Sequence, residues 1–120
     1  RINILFKNPQ NNLTSQSSPK FDTSISKRSI LELSNICTGK CKPYIAYIPN
    51  SIHWKPDPRA EKYKREIEFL SNSLKIPFID GSQVIDNRKL SNYAPKGHHL
   101  SKKGYKKISD FISDQIQDKE

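Results

Sequence analysis

No methionine occurs in this 120-residue chain, and glycine, cysteine and tryptophan number only four, two and one. The missing methionine leads us to expect a part cut, processed or excised from something longer, with Arg1 an arbitrary edge. Only 33% of the residues are hydrophobic and the mean hydropathy is −0.79, so the core is expected to be modest for this length. No run reaches the roughly 18 apolar residues of a membrane-spanning helix, and these residues contain no signal peptide. A missing N-terminal part has room for either.

Ligand count argues against a metal. Zinc wants four ligands, and beside Cys37 and Cys41 the candidates are His53, His98 and His99, two of them adjacent and poorly spaced to share one ion. No metal and no cofactor is expected. Cys37 and Cys41 stand four apart around Gly39, which leaves two readings: a helix-end disulfide in an exported protein, the preferred one, or two reduced side chains in a cytosolic one. The compartment stays open on sequence, with the cell envelope favoured over the cytoplasm.

Charge is abundant and one-sided. Twenty-one Lys and Arg against twelve Asp and Glu give a net charge of +9, which raises nucleic acid, anionic lipid or acidic polysaccharide as partners. Much of the positive charge, however, falls on helix exteriors and the loop before the last helix (Lys62, Lys64, Arg65, Lys102, Lys103, Lys106, Lys107), with Glu61, Glu66, Glu68 or Asp110 near. That is the pattern of a solvated surface. No RNA-reading aromatic cluster or helix-turn-helix signature occurs, so nucleic acid is not an expected partner.

Along the chain, helices alternate with short apolar runs. Ile2–Phe6 reads as a strand and Lys7–Lys20, rich in Asn, Gln, Ser and Pro, as a long loop; residues 1–29 thus form an N-terminal strand and low-complexity segment, and 30–120 the body of the domain. Ser26–Cys37 carries Ile30, Leu33, Ile36 and Cys37 at helical spacing, with Gly39 where a C-terminal cap belongs. Tyr44–Ile48, bounded by Pro43 and Pro49, has the pattern of a buried parallel strand. Arg59–Lys75 repeats Tyr63, Ile67, Leu70 and Leu74 at helical intervals. Ile76–Asp80 is a second buried strand, and Gly81-Ser82 turns into a weakly helical stretch through Val84, Ile85 and Leu90. Such alternation predicts an α/β fold with right-handed crossovers, a three-layer α/β/α sandwich whose site lies at the carboxyl edge of a parallel sheet. The irregular loop Asn50–Pro58 leaves that edge and holds His53 and Trp54, both candidates for substrate binding.

The most informative stretch is Gly97-His98-His99-Leu100-Ser101-Lys102-Lys103-Gly104-Tyr105, which leads into Ile108, Phe111, Ile112 and Ile116. Ser101 is placed to cap a helix that buries Tyr105, Ile108, Ile112 and Ile116, so the histidine pair sits on a glycine-flanked loop fixed from behind. An imidazole presented this way suits a general base, because its pKa near 6.5 lets it take a proton from a hydroxyl nucleophile at neutral pH. His99 is the candidate base and His98 the reserve.

Tyr47-Ile48-Pro49, the Tyr63–Leu74 helix, Lys75–Asp80 and His99–Tyr105 together resemble the C-terminal half of the SGNH (GDSL-like) hydrolase superfamily, over about residues 30–116. The resemblance implies a partial flavodoxin-like α/β sandwich and a serine ester hydrolase or O-acyl transfer domain with His99 as base, acting on acyl esters, acylated carbohydrate among them. Where the family carries an aspartate three residues before the histidine, this chain has Lys96. The family's Gly-Asp-Ser block is absent, and Asp80-Gly81-Ser82 has the letters in another order on a late strand. The nucleophile is therefore expected on an N-terminal remainder of the same protein. From a different class, the alternative is a degenerate, non-catalytic α/β module that binds an anionic polymer through its positive face.

Overall fold

Three helices form where apolar residues repeat at helical spacing, although on the first of them Leu33 and Ile36 stay exposed and only Cys37 is buried. The computed structural model describes residues 22–54 and 57–117. Within them α1 spans Ser24–Cys37, β1 Ile45–Tyr47, α2 Ala60–Ser73, β2 Phe78–Asp80 and α3 Lys102–Gln117, with short 3-10 turns at Gly81–Gln83 and Leu90–Asn92. The expected strand Ile2–Phe6 and loop Lys7–Lys20 lie outside the described residues.

β1 and β2 pair in parallel, with Ile45, Ala46 and Tyr47 opposite Phe78, Ile79 and Asp80. Parallel neighbours need a crossover, and α2 provides it. The chain is thus a mixed α/β structure whose described sheet has two strands. On α2 the inward positions are Ile67 and Ser71, and the Ser71 hydroxyl is satisfied by donating to the Ile67 carbonyl at 2.7 Å. α1 lies against α2 through polar contacts: Thr23 Oγ1 donates to Glu66 at 2.9 Å, Lys27 pairs with the same carboxylate at 3.0 Å, and the Ser26 and Tyr63 hydroxyls are 2.7 Å apart.

With only four glycines, one helix ends without the residue that usually serves there. After α2, Lys75 takes φ +57°, the N–H of Ile76 reaches the Ser71 carbonyl at 2.9 Å and that of Lys75 reaches Asn72 at 3.1 Å. This is the paired terminal bonding of a left-handed helix cap, carried by a lysine where glycine is the common choice. Gly39, at φ +68°, stands after α1 as the spacing predicts, and Cys37 and Cys41 close the helix end as a disulfide.

The core of the C-terminal half is Ile85, Tyr93, Leu100 and Ile108, with Val84, Phe111 and Ile112 against it. Here one expectation fails. Tyr105 is 52% exposed, and the buried position on that turn of α3 is Gly104. A bulky side chain cannot occupy position 104 because the backbone of Asn92 is already there: a Cβ would collide with the Asn92 carbonyl oxygen and stand 3.1 Å from its carbon. Gly81 is used likewise, since its Cβ would collide with the Tyr47 carbonyl and come 2.6 Å from Ile108 Cδ1. These two contacts join α3 to the sheet and to the segment before the histidines.

Candidate functional site

The histidine loop is a clamped hairpin. Tyr93 and Leu100 form an antiparallel bridge, Ala94 N–H donates to the His99 carbonyl at 2.8 Å, and Ser101 N–H donates to the Asn92 carbonyl at 2.9 Å. Between these bonds the chain turns through Gly97 at φ +89°. Ser101 caps α3 as expected: its Oγ accepts from Gly104 N–H at 3.1 Å and donates to the Ser91 carbonyl at 2.6 Å. One hydroxyl therefore ties the helix start to the 3-10 turn Leu90–Asn92 that precedes the loop.

His98 and His99 lie at the exposed rim of this hairpin. Their backbone is anchored on both sides, while neither imidazole has a hydrogen-bond or ion-pair partner among the described residues. Lys96 is likewise exposed on the loop. Neither Asp80 nor Asp86 is paired with the ring: Asp80 binds Lys64 and Ser82, and Asp86 binds Arg88 at 3.1 Å.

The loop after β1 is tied to the same region from the other side. Tyr93 Oη donates to the Pro49 carbonyl at 2.7 Å, and burial, with Tyr47 and Asp86 adding to it, pushes the Tyr93 phenol up to about 12. Ile52 N–H reaches the Asn87 carbonyl at 3.2 Å, and His53 Nε2 lies 3.0 Å from the Arg88 carbonyl. His53 thus binds backbone, and the half-buried Trp54 sits beside it. No hydrogen bond joins either residue to His98 or His99 among the described residues.

At the carboxyl end of β1 opens a cleft of about 670 Å³, walled by Tyr47, Ile48, Asn50, Ser51 and Ile52 from the strand and its loop, and by Asp57, Arg59, Ala60, Glu61 and Tyr63 from the start of α2. Asn87 and Asp22 complete it. Beside the Tyr47 wall, Lys64 pairs with Asp80, lies 3.3 Å from the Ser82 hydroxyl and stands 5.3 Å over the Tyr47 ring. Burial pushes the Asp80 carboxyl up, but Lys64 and the two bonds from Ser82 outweigh it and leave it below its ordinary value. Burial also raises the Tyr47 phenol, with Glu61 adding to the effect. Asp80-Gly81-Ser82 is a turn, as its letters suggested, with the Asp80 carboxylate accepting both the N–H and the hydroxyl of Ser82.

No protein-family profile, characterised protein or solved structure matches the chain. Among the described residues no three His, Cys, Asp or Glu side chains gather to hold a metal ion, and no helix is long and apolar enough to cross a membrane. Of the cleft residues, Tyr47 belongs to a stretch quoted for the resemblance, whereas Asn50, Glu61 and Asn87 were not singled out by motif. The only sequence signal of Asn50 and Glu61 was position, after a buried strand and at the start of the following helix.

Proposed function

We propose that this chain is the C-terminal part of an SGNH-like α/β/α sandwich that hydrolyses or transfers acyl groups by serine–histidine chemistry, with His99 as the base. The observation that carries the proposal is the geometry behind that residue. His99 sits two positions before the N-cap of α3, its carbonyl bonded to Ala94 and its flank bonded to Asn92. A base must be held at one place relative to its nucleophile, and a doubly anchored loop does so.

In the reaction, the His99 ring takes the serine hydroxyl proton as the oxygen attacks the acyl carbon. The same ring then returns the proton to the departing alcohol, leaving an acyl-enzyme that water or an acceptor hydroxyl resolves. The serine belongs to the N-terminal remainder, so the isolated chain is expected to be inert. With Lys96 where the family carries an acidic partner, the reading calls for a serine–histidine pair or for a backbone carbonyl that orients the ring, as in some members of that superfamily. The Cys37–Cys41 disulfide supports a location outside the reducing cytoplasm.

The test is hydrolysis of a short-chain chromogenic ester by the full-length parent, with and without a serine-directed phosphonate, followed by mass mapping of the labelled residue. Turnover with a label on a serine preceding Arg1 is expected. The second reading, a non-catalytic module for anionic polymers, rests on the net charge of +9. It predicts no label, together with polyanion binding that falls steeply with salt.

A further inference from the structure

We infer that the cleft at the carboxyl end of β1 binds an uncharged saccharide. This rests on the acyl-transfer reading only in naming its substrate class as the ester of a neutral glycan.

The cleft's volume, about 670 Å³, falls in the range of roughly 300–1,000 Å³ usual for small-molecule sites. Its apolar surface comes from the Tyr47 and Tyr63 rings with Ile48 and Ile52, a mixed aromatic and aliphatic wall suited to the C–H face of a sugar ring. Its polar surface is of a particular kind. The Asn50 and Asn87 side-chain amides and the Tyr47 hydroxyl carry no hydrogen-bond partner among the described residues, although each helps to wall the cleft. An amide offers a donor pair and an acceptor together, and a phenol offers one of each, which matches hydroxyl groups that are themselves donor and acceptor. A tyrosine phenol is protonated at neutral pH, and burial raises that of Tyr47 further, so it keeps its donor.

Charge selects among glycans. Among the described residues that line the cleft, Asp22, Asp57 and Glu61 stand against the guanidinium of Arg59, which Asp57 already binds through two bonds of 2.9 Å. Lys64 on α2 is committed to Asp80. On a chain of net charge +9, these lining side chains are together negative, so an acidic glycan suited to the outer surface is disfavoured against them.

The test is an amide chemical-shift titration of the whole 120-residue chain with cellotetraose, with the N-acetylglucosamine tetramer, and with the galacturonic acid tetramer, each at millimolar concentration. Saturable shifts centred on Tyr47, Asn50, Glu61 and Asn87 are expected with at least one uncharged tetramer, and none at these positions with the acidic one. The double variant Asn50→Ala/Asn87→Ala is expected to weaken binding by about tenfold, the cost of roughly one to two lost hydrogen bonds, with its thermal transition unchanged. The absence of shifts with both uncharged tetramers, or a preference for the galacturonate, overturns the inference. Binding is read on the 120-residue chain and turnover on the full-length parent, so failure of the acyl-transfer reading and failure of this one are separately visible.

Discussion

The carbonyl oxygen of Asn92 lies against the α-carbon of Gly104, in the space a Cβ would take. Asn92 is wholly buried, its carbonyl also accepts the Ser101 N–H, and its side-chain amide donates to the Asp86 carbonyl at 3.0 Å. The close approach of α3 to the segment before the histidine loop thus depends on a missing side chain. Gly104→Ala is expected to cost about 2–3 kcal/mol, the upper part of the range for overpacking against a neighbour that cannot yield. Chemical denaturation measures it, and a change under about 0.5 kcal/mol would show that the contact is not as tight as described.

Lys75 offers the opposite case. A lysine at φ +57° ends α2 where glycine carries no steric cost, so Lys75→Gly is expected to stabilise the fold by about 1 kcal/mol. A shift of the denaturation midpoint upward checks it; a downward shift contradicts it.

The buried phenol of Tyr93 links stability to alkaline pH. Its folded value of about 12 exceeds the ordinary 10, so the proton is held more tightly in the folded chain. Its contribution is complete below pH 10 and is lost as pH rises through about 12. Tyr93→Phe should remove that loss and also cost about 1–2 kcal/mol at neutral pH, since the buried Pro49 carbonyl is left without its donor. Burial lowers Lys64 but its pairing with Asp80 raises it, and burial raises Tyr47, so these two groups supply alkaline loss that remains in the variant. Chemical denaturation of the parent sequence and of Tyr93→Phe from pH 8 to 12 isolates the Tyr93 share as their difference.

Reduction of Cys37–Cys41 should be a local event. The bond closes a loop across a sequence separation of 4, for which chain entropy gives about 2 kcal/mol. Circular dichroism in dithiothreitol should retain α2 and α3; complete unfolding on reduction would contradict this estimate.

Much of the helical order was legible because Tyr63, Ile67, Leu70 and Leu74, and likewise Ile108, Ile112 and Ile116, repeat at the helical period. The strands were legible from short apolar runs, Tyr44–Ile48 between two prolines and Ile76–Asp80 before Gly81-Ser82, although within them only Ile45–Tyr47 and Phe78–Asp80 pair. Ser101 could be read as a cap because its effect is local. Tyr105 was misplaced because an aromatic ring at helical spacing looks like core, while the true inward residue, Gly104, has no apolar side chain to betray it. The cleft was hidden for a related reason. Its walls come from residues 22, 47–52, 57–63 and 87, and nothing local in Asn50 or Asn87 marks them as neighbours.

The central claim is the proposal that His99 is the base, with His98 the reserve beside it on the same clamped loop. The decisive measurement is turnover of a chromogenic acetyl ester by the full-length protein carrying His99→Ala or His98→Ala, with thermal transitions recorded for both. The account predicts that His99→Ala lowers kcat by about 100-fold or more with its fold intact, the scale of a lost general base, while His98→Ala stays within a few-fold of the parent. Undiminished turnover in His99→Ala would contradict it.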